Sequence, residues 1–550
     1  MAPFDYIVLI IYFLIVIGAG LFWGISRRKS NTSDYFLAGH TLPWWAIGAS
    51  TVAANISAEQ FIGMSGSGFA IGLAIASYEW MAAAALLVVA WFFLPYFLKN
   101  KVATMPGFLQ LRYGPGVSRL MSALWLALYV FVNLSSVLYL GGLTLRGLLG
   151  LSLPQGVWLL AGVGLLYSVA GGLRAVAYTD ILQVGVLVAG GLAVTYTALK
   201  GLGDGNILEG LASLKRNAPE HFHLILKKGQ HLWDDGSGIA HDNWQDIPGF
   251  WGVFGALWII NLYYWGCNQY IIQRALAAPN IREARKGLLM AAFLKLLMPF
   301  LVVIPGVAAY VMYQQAAFDS PVVQSLSELQ NIGGRQVHIV KPDQAYPMLL
   351  TLLPSGLKGL SLAALTAAII SSVASMANSA STLFTLDLFK TWRGAAASES
   401  QLVWVGRLAA ALSIGVGAFL APGLAHLPQV FQFIQEYSAF ISPGVFAVFV
   451  AAMLFKKVSG RAALASILLT VPLSALIKWL WPQEPFMFRT AWVFVLLFGG
   501  MALSSKFFGS AVKNLDFQFP GAEYFQKDRI FRWGSGAVIL VLAFLYLYFW

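Results

Sequence analysis

Residues 46–82 combine a composition apolar enough for a lipid bilayer with side chains that can bind polar ligands. The polar members are Asn55, Ser57, Glu59, Gln60 and Glu79. Small residues run through the same stretch, which weakens a continuous helix and favours a break. Because an unsatisfied polar group costs several kcal/mol in hydrocarbon, these side chains mark a protein-lined cavity or an ion path. We predict a broken membrane helix that supplies half of a binding site. A helix packed through polar contacts is the simpler alternative.

A second apolar stretch, residues 255–272, is interrupted in a comparable way by Asn261, Tyr263, Tyr264, Gly266 and Asn268. Each interrupted stretch opens a block of five predicted spans, 43–201 and 247–455. An odd number of spans gives the two blocks opposite orientations in the membrane. Inverted repeats that each begin with a broken helix are typical of one class of secondary transporter, whose site lies at the midplane.

The whole chain has the composition of an all-α polytopic membrane protein. Of its 550 residues 59% are hydrophobic and 11% charged, and the mean hydropathy is +0.72. Soluble domains carry about a quarter charged residues. Apolar runs of about 20 residues predict about fourteen spans in one domain, 1–550. They are 5–26 (a leading helix), 43–74, 76–98, 118–149, 154–172, 179–201, 247–273, 287–314, 357–383, 402–421, 427–455, and three additional C-terminal helices within 460–550.

The net charge of +12 comes from cations in short loops rather than from a nucleic-acid surface. The clusters are Arg27–Lys29, Lys99 with Lys101, Arg282–Lys286, Lys456 with Lys457, and Lys506–Arg532. Alternating spans place all of them on one side, which by the positive-inside rule is the cytoplasm. Both termini are therefore expected outside a plasma or inner membrane.

The loop 202–246 contains four histidines at spacings that match no compact metal site, so a solvated outer loop is favoured over metal binding. The single Cys267 excludes an internal disulfide.

A candidate ion site involves Ser371, Ser372 and Ser375 in the apolar stretch 361–383. Serine also serves close helix packing, which is the alternative interpretation. Placed against the unwound segment, two hydroxyls and the freed carbonyls near Ala53 and Ile56 would form a neutral oxygen shell. Such a shell suits a monovalent cation, because Ca²⁺ collects carboxylates. We predict sodium.

A candidate solute site is formed by polar side chains scattered among apolar spans. They are Gln60, Glu79, Asn261, Lys295 and Gln435, beside the rings of Tyr78, Tyr264 and Phe431. Mixed donors and acceptors next to aromatic faces fit a polyol. No arginine lies mid-span in this group, so an acidic solute is less favoured. A structural ion pair between Lys295 and Glu79 is the alternative.

Several segments of the chain resemble the sodium/solute symporter family, over nearly the whole length from about residue 5 to residue 550. They are AANISAEQFIGMSGSG, GLAIASYEWM, FVNLSSVLYLGGL, NLYYWGCNQYIIQR, AAFLKLLMPFLVVIPGVAAY, AAIISSVASMANS and IQEYSAF. The resemblance implies a LeuT-type inverted-repeat core that works by alternating access. It implies sugar contacts by Gln60, Glu79, Asn261, Lys295 and Gln435, with Asn55 nearby. It also implies an inner gate of Tyr264 and Trp265, an outer gate of Met64, Tyr78 and Phe431, and sodium bound by Ala53, Ile56, Ala368, Ser371 and Ser372. Asp180 would lie on the ion's exit route, or else act as a helix N-cap.

The chain departs from the family pattern at Ala82, where related sugar sites have serine. The expected function is sodium-coupled import of a hexose, as a monomer or loose oligomer. Alternatives are a transporter of another neutral polyol such as inositol, and a sugar-gated channel or sensor. An enzyme is not expected, because the sequence has no HExxH, GxSxG or P-loop motif.

Overall fold

A computed structural model describes residues 1–25, 38–234, 241–316, 320–332, 335–393, 398–427, 429–507, 517–526 and 528–550. The predicted cationic cluster Arg27–Lys29 lies outside these residues. The first half of the chain contains α1 Pro3–Ile25, α2 Trp44–Asn55, α3 Ser65–Ile71, α4 Ala76–Val88, α5 Leu94–Lys99, α6 Met105–Tyr113, α7 Pro115–Ala127, α8 Ser135–Leu149, α9 Leu153–Leu202, α10 Ile207–Asn217, α11 Gly249–Trp251, α12 Leu257–Cys267 and α13 Gln269–Leu276.

The second half is also almost entirely helical. It contains α14 Ile281–Gln315, α15 Pro321–Leu326, α16 Ala345–Thr351, α17 Leu357–Thr382, α18 Lys390–Arg393, α19 Glu399–Leu420, α20 Val430–Ser438, α21 Ser442–Leu454, α22 Gly460–Leu480, α23 Phe486–Phe507 and α24 Arg529–Tyr548. Short π-helical stretches, such as Glu59–Met64 and Leu128–Leu134, join several of these helices into longer rods. Two short strands, Ser327–Ile332 and Arg335–Val340, form an antiparallel hairpin that was not predicted from the sequence.

Ten of the described helical segments are long and apolar enough to cross a membrane, or eleven when α20 and α21 count as one bent span. The angle between α20 and α21 is 45°. Pro3–Val16 and Leu153–Leu166 are shorter apolar stretches. Helix α9 has 50 residues, about 75 Å of helix, which exceeds twice the thickness of a bilayer core. The polytopic architecture is therefore present, while the count of fourteen spans stays a prediction.

Both predicted helix breaks are present. Helix α2 ends at Asn55, and Ile56 has an extended backbone (φ −72°, ψ 101°) before the helix resumes. The second break lies at Asn268 (φ −80°, ψ 125°), between α12 and α13. Of the residues predicted to interrupt this stretch, Asn268 alone leaves the helical conformation, because Asn261–Gly266 lie within α12.

The first broken helix is held in place by α14, which packs against α2, α3 and α4. Close contact depends on residues without side chains. A Cβ atom at Gly306 would lie 2.1 Å from the Ser65 carbonyl oxygen, and one at Gly68 would lie 2.7 Å from the Val303 carbonyl oxygen. Small residues let membrane helices approach to backbone contact. The segment that carries Gln60 is thereby fixed against the helix that carries Lys295.

Residues near each chain end make hydrogen bonds to distant parts of the chain. The Asp5 carboxylate accepts hydrogen bonds from the backbone N–H groups of Gly356 and Gly359, at 2.6 and 3.1 Å. At the other end, the Leu224 N–H donates to the Phe549 carbonyl at 2.9 Å. The loop that contains Leu224 also inserts His221 beside the C-terminal end of α3, where its Nε2 lies 3.0 Å from the Phe69 carbonyl oxygen. Four histidines were predicted to lie in a solvated loop, but His221 is buried.

Acid should loosen this loop through His221. Burial lowers the pKa of His221 from 6.5 to about 4, against the opposing effect of the Phe69 carbonyl. The packed loop therefore binds fewer protons than the unpacked loop between about pH 4 and 6.5. The contribution of His221 to the stability of the packed loop is fully present above about pH 6.5. It is lost as the pH falls from about 6.5 to 4, by up to about 1.4 kcal/mol per pH unit.

We expect the protection factors of the backbone amides of residues 220–224, corrected for the intrinsic pH dependence of exchange, to fall on acidification from pH 7 to 5 in the wild type, relative to His221→Gln. The exposed His231 provides the control variant His231→Gln, which should behave as wild type. Parallel pH dependence in the wild type and His221→Gln would show that His221 has no such effect.

Candidate functional site

A cavity lies between the two broken helices. Ten of the predicted sugar-contact and gate residues line it, together with Ala82: Asn55, Gln60, Met64, Tyr78, Glu79, Asn261, Tyr264, Trp265, Phe431 and Gln435. Both interrupted stretches thus contribute to one site. The cavity walls mix amide, carboxylate and aromatic groups, as a polyol requires.

The residues of the two predicted gates make separate sets of contacts. Tyr78 and Phe431 meet edge-to-face, with ring centroids 5.5 Å apart, and both are buried with Met64. In the predicted inner gate, the Tyr264 hydroxyl accepts a hydrogen bond from Asn55 Nδ2 at 2.9 Å and pairs with the Tyr270 hydroxyl at 2.6 Å. Its ring lies edge-on to Trp265. The Tyr264 ring is therefore fixed by partners from both broken helices.

Lys295 is the one predicted sugar contact that does not line the cavity. Its ammonium lies 2.5 Å from Glu79 Oε2 and donates a further hydrogen bond to Asn55 Oδ1. It also lies 5.0 Å from the centre of the Trp265 ring. The ion pair with Glu79 that the sequence left open as an alternative is thus present. Removing one partner of such a buried pair strongly destabilises the protein, because the other charge is left uncompensated.

Gln60 stabilises the break in the first helix. Its Oε1 accepts the Ser57 N–H at 3.1 Å. In a continuous helix that N–H would bond to the carbonyl of Ala53, four residues earlier. The Ala53 carbonyl is thereby released from its helical partner, while the Gln60 amide nitrogen stays available to a ligand in the cavity.

The predicted ion ligands lie on α2, at Ile56 in the break that follows it, and on α17, and α2 packs against α17. Ser372 Oγ is buried, and among the described residues it has no hydrogen-bond partner. Ser371 Oγ donates to Asp180 Oδ1 at 2.6 Å, which leaves its lone pairs free to bind a cation. A buried unpartnered hydroxyl on α17 and a released carbonyl on α2 are the kinds of oxygen that the predicted neutral shell requires.

Asp180 connects three helices and bonds to the predicted ion ligand Ser371. Its second oxygen accepts a hydrogen bond from Ser50 Oγ on α2 at 2.7 Å, and Arg274 Nη2 on α13 lies 3.9 Å away. Arg274 also donates to Ser375 Oγ at 3.0 Å. Helix α9 continues on both sides of Asp180, so the N-cap interpretation is wrong. Asp180 instead joins α17, which carries the predicted ion ligands Ser371 and Ser372, to both broken helices.

Several cavity residues, among them Glu59 and Asn133, were not among the predicted ligands. Glu59 and Asn133 line the cavity, and the Glu59 Oε1 and Asn133 Oδ1 atoms are buried without a partner in the described part of the chain. Glu59 is one of the polar residues noted in the interrupted stretch 46–82, but it was not predicted to bind the sugar. In the sequence, Asn133 is a single amide in an apolar run, which gives no signal of a binding role. In the structure it lies in the π-helical stretch Leu128–Leu134 and lines the cavity.

A model described as the sodium:solute symporter family matches residues 35–470. The chain is 42% identical to a sodium/glucose cotransporter of Vibrio parahaemolyticus over 99% of this chain and 98% of that protein. It is 36% identical to the sodium/myo-inositol cotransporter 2 of Oryctolagus cuniculus, covering 84% of this chain and 68% of that protein. It is 34% identical to the sodium/glucose cotransporter 1 of Ovis aries, over 84% and 69% respectively.

A solved structure of a Na⁺-coupled sialic acid symporter in a substrate-bound outward-open state has a similar fold. The TM-score is 0.74 at 20% sequence identity, and the match covers 92% of this chain and 99% of that chain. At this identity the likeness establishes the shared fold.

Proposed function

The chain belongs to the sodium:solute symporter family, and on that premise we propose that it imports a neutral hexose together with sodium by alternating access. The observation that carries the proposal is the single cavity to which both broken helices contribute polar and aromatic side chains. The candidate ion ligands Ser371 and Ser372 lie on α17, which packs against the first of these helices. Two of the similar proteins are named for the solute that they carry with sodium, glucose in one and myo-inositol in the other.

For the sugar we propose contacts from both repeats. The Gln60 amide nitrogen, the Glu79 carboxylate, Asn261 Oδ1 and the Gln435 amide would bind hydroxyls, with Asn55 nearby. Asn261 Nδ2 already donates to the Leu257 carbonyl at 3.2 Å, which leaves its oxygen for the ligand. Glu59 and Asn133 supply additional acceptors. Lys295 would act through Glu79 and Asn55, or reach the sugar when the cavity rearranges.

For the ion we propose the carbonyls of Ala53, Ile56 and Ala368 and the hydroxyls of Ser371 and Ser372. Sodium bound there would stabilise the break at Ile56 and so favour the state that accepts sugar from outside. Coupling requires that differential affinity for the two states. The ion would leave past Asp180, while the Tyr264 ring with Trp265 would open toward the cytoplasm.

The membrane arrangement is part of the same proposal. Residues 43–201 and 247–455 would be inverted repeats, within about fourteen spans, and both termini would lie outside a plasma or inner membrane. One sodium ion that crosses 100 mV releases about 2.3 kcal/mol, and a tenfold sodium gradient adds about 1.4 kcal/mol. Together they drive sugar accumulation on the order of a few hundred-fold.

Inositol is the second candidate, favoured by the similarity to sodium/myo-inositol cotransporter 2. Competition for sodium-driven uptake into proteoliposomes separates the two, with labelled galactose as the tracer. We expect excess glucose or galactose to abolish the signal at concentrations where myo-inositol does not. Stronger competition by myo-inositol than by either hexose would assign the cavity to inositol.

Adding a hydroxyl at Ala82 should tighten sugar binding. Ala82 lines the cavity and is buried, and serine there would supply one hydrogen bond, worth about 0.5–1.5 kcal/mol. For Ala82→Ser we expect the KM for one hexose epimer to fall about 2–10-fold at unchanged sodium dependence. Ala82→Cys, which adds volume with only a weak hydrogen-bonding group, is the control. Equal KM values for alanine and serine would place position 82 away from the sugar hydroxyls.

A further inference from the structure

Asp343 lies in the short helical turn Pro342–Gln344, outside the sugar and ion sites. Its side chain is buried, and its Oδ2 accepts the backbone N–H of Val430 at 3.0 Å. Val430 is the first residue of α20, and the preceding Gln429 provides no side-chain cap. The first N–H groups of a helix need partners outside the helix. Asp343 therefore caps α20 from a loop 87 residues earlier in the chain.

The same end of α20 contacts the broken helix. Ser67 Oγ on α3 donates to Gln429 Oε1 at 3.3 Å. A Cβ atom at Gly66 would lie 2.8 Å from Asp343 Oδ1, so any larger residue at Gly66 would displace the carboxyl group. Three elements therefore meet at Asp343: the outer half of the broken helix, the loop turn and the start of α20.

The remainder of α20 covers the cavity. Phe431 contacts Tyr78, and Phe431, Ile434 and Gln435 line the site. The helix ends at Ser438, and α21 continues at an angle of 45° after a break of three residues. The Asp343 hydrogen bond thus fixes the end of α20 that is farthest from the bend.

Resting on the proposed function, we propose that Asp343 is a positioning residue that holds α20 closed over the cavity, and that its bond to Val430 is released when the outer side opens. Opening would move α20 about the break at 439–441 and bring Asp343 into water. Phe431 and Gln435 would leave the cavity wall together, because both are carried by α20.

The protonation of Asp343 should bias this movement. Burial raises the pKa of Asp343 from 3.8 to about 7, against the opposing effects of the Val430 N–H and the Lys341 ammonium. Other titratable groups on the elements packed against this turn are Glu59, Tyr139, Arg146 and Tyr346. Since the closed state holds the carboxyl with the higher pKa, it binds more protons than the open state. Closure is therefore favoured below about pH 7 and weakened as pH rises through that value.

The test is the distance between spin labels at Phe433→Cys on α20 and Glu484→Cys in the loop after α22, in a Cys267→Ala background. It is measured by pulsed electron resonance on the full chain in nanodiscs, without sugar, at pH 6 and pH 8. We expect the open-to-closed ratio to rise several-fold from pH 6 to pH 8 in the wild type. Asp343→Ala should raise the ratio about fivefold at pH 6, the usual effect of losing a helix cap.

Asp343→Asn keeps a capping oxygen without a charge, so it should keep α20 closed at both pH values. The control is Asp242→Ala, which removes a similar cap from Trp244 in the other outer loop and should leave the distances unchanged. Identical distance distributions in the wild type, Asp343→Ala and Asp343→Asn would overturn the proposal. Because no sugar is present, a failure of hexose uptake would not affect this result.

Discussion

Sugar uptake should fall at least about 100-fold in Glu79→Gln, measured per folded protein in proteoliposomes with an inward sodium gradient. Glu79 is both a wall of the cavity and the counter-ion of Lys295, with Oε2 and Nζ 2.5 Å apart. Its neutral analogue leaves Lys295 as a fully buried, uncompensated cation. Removing one partner of such a pair costs about 3–5 kcal/mol. The sugar would also lose a charged acceptor.

The double variant Glu79→Gln/Lys295→Met separates a structural role of the pair from a role in sugar binding. Removing both charges eliminates the uncompensated cation, so the detergent-solubilised protein should recover thermal stability. Uptake should stay at the level of the single variant, because the carboxylate acceptor is still missing. Recovery of wild-type uptake in the double variant would mean that the ion pair serves folding alone.

Sodium dependence should change selectively in Ser372→Ala. Ser372 Oγ is buried and unpartnered in the described part of the structure, so its removal disturbs no hydrogen bond, while a bound sodium ion would lose one of its oxygen ligands. A loss of about 1–2 kcal/mol corresponds to a rise of about 5–30-fold in the sodium concentration for half-maximal uptake. Uptake at saturating sodium should be largely retained.

The matched control is Ser381→Ala on the following stretch of α17, where the hydroxyl donates to the Gly406 carbonyl at 2.7 Å. Its half-maximal sodium concentration should equal that of the wild type. If Ser372→Ala and Ser381→Ala shift sodium dependence equally, Ser372 is a packing residue and the ion site lies elsewhere.

The sequence predicted the breaks and the cavity because both have local causes. Small residues weaken a helix wherever it lies, and polar groups in hydrocarbon must face a cavity or each other. Asn55, Gln60 and Glu79 therefore identified the first half of the site. Asn261 and Tyr264 identified the second half, although the second break is at Asn268 and leaves both inside the helix.

Pairing across the fold was only partly available from the sequence. The sequence left open whether Lys295 contacts the sugar or pairs with Glu79; in the structure its ammonium bonds to both Glu79 and Asn55. Asp180 could not be distinguished from an N-cap until Ser50 and Ser371 were brought to its two oxygens from other helices. The burial of His221 likewise depends on a loop folding back onto the broken helix.

The most direct test of the account is accumulation of labelled hexose in proteoliposomes, compared between an inward sodium gradient and equal sodium on both sides. With the gradient and an inside-negative potential, internal hexose should rise transiently well above the external concentration and then decay. With equal sodium and no potential it should only equilibrate. Equal uptake curves in the two conditions would contradict sodium coupling and leave a facilitator. Sugar-dependent currents without accumulation would instead assign the cavity to a channel or sensor.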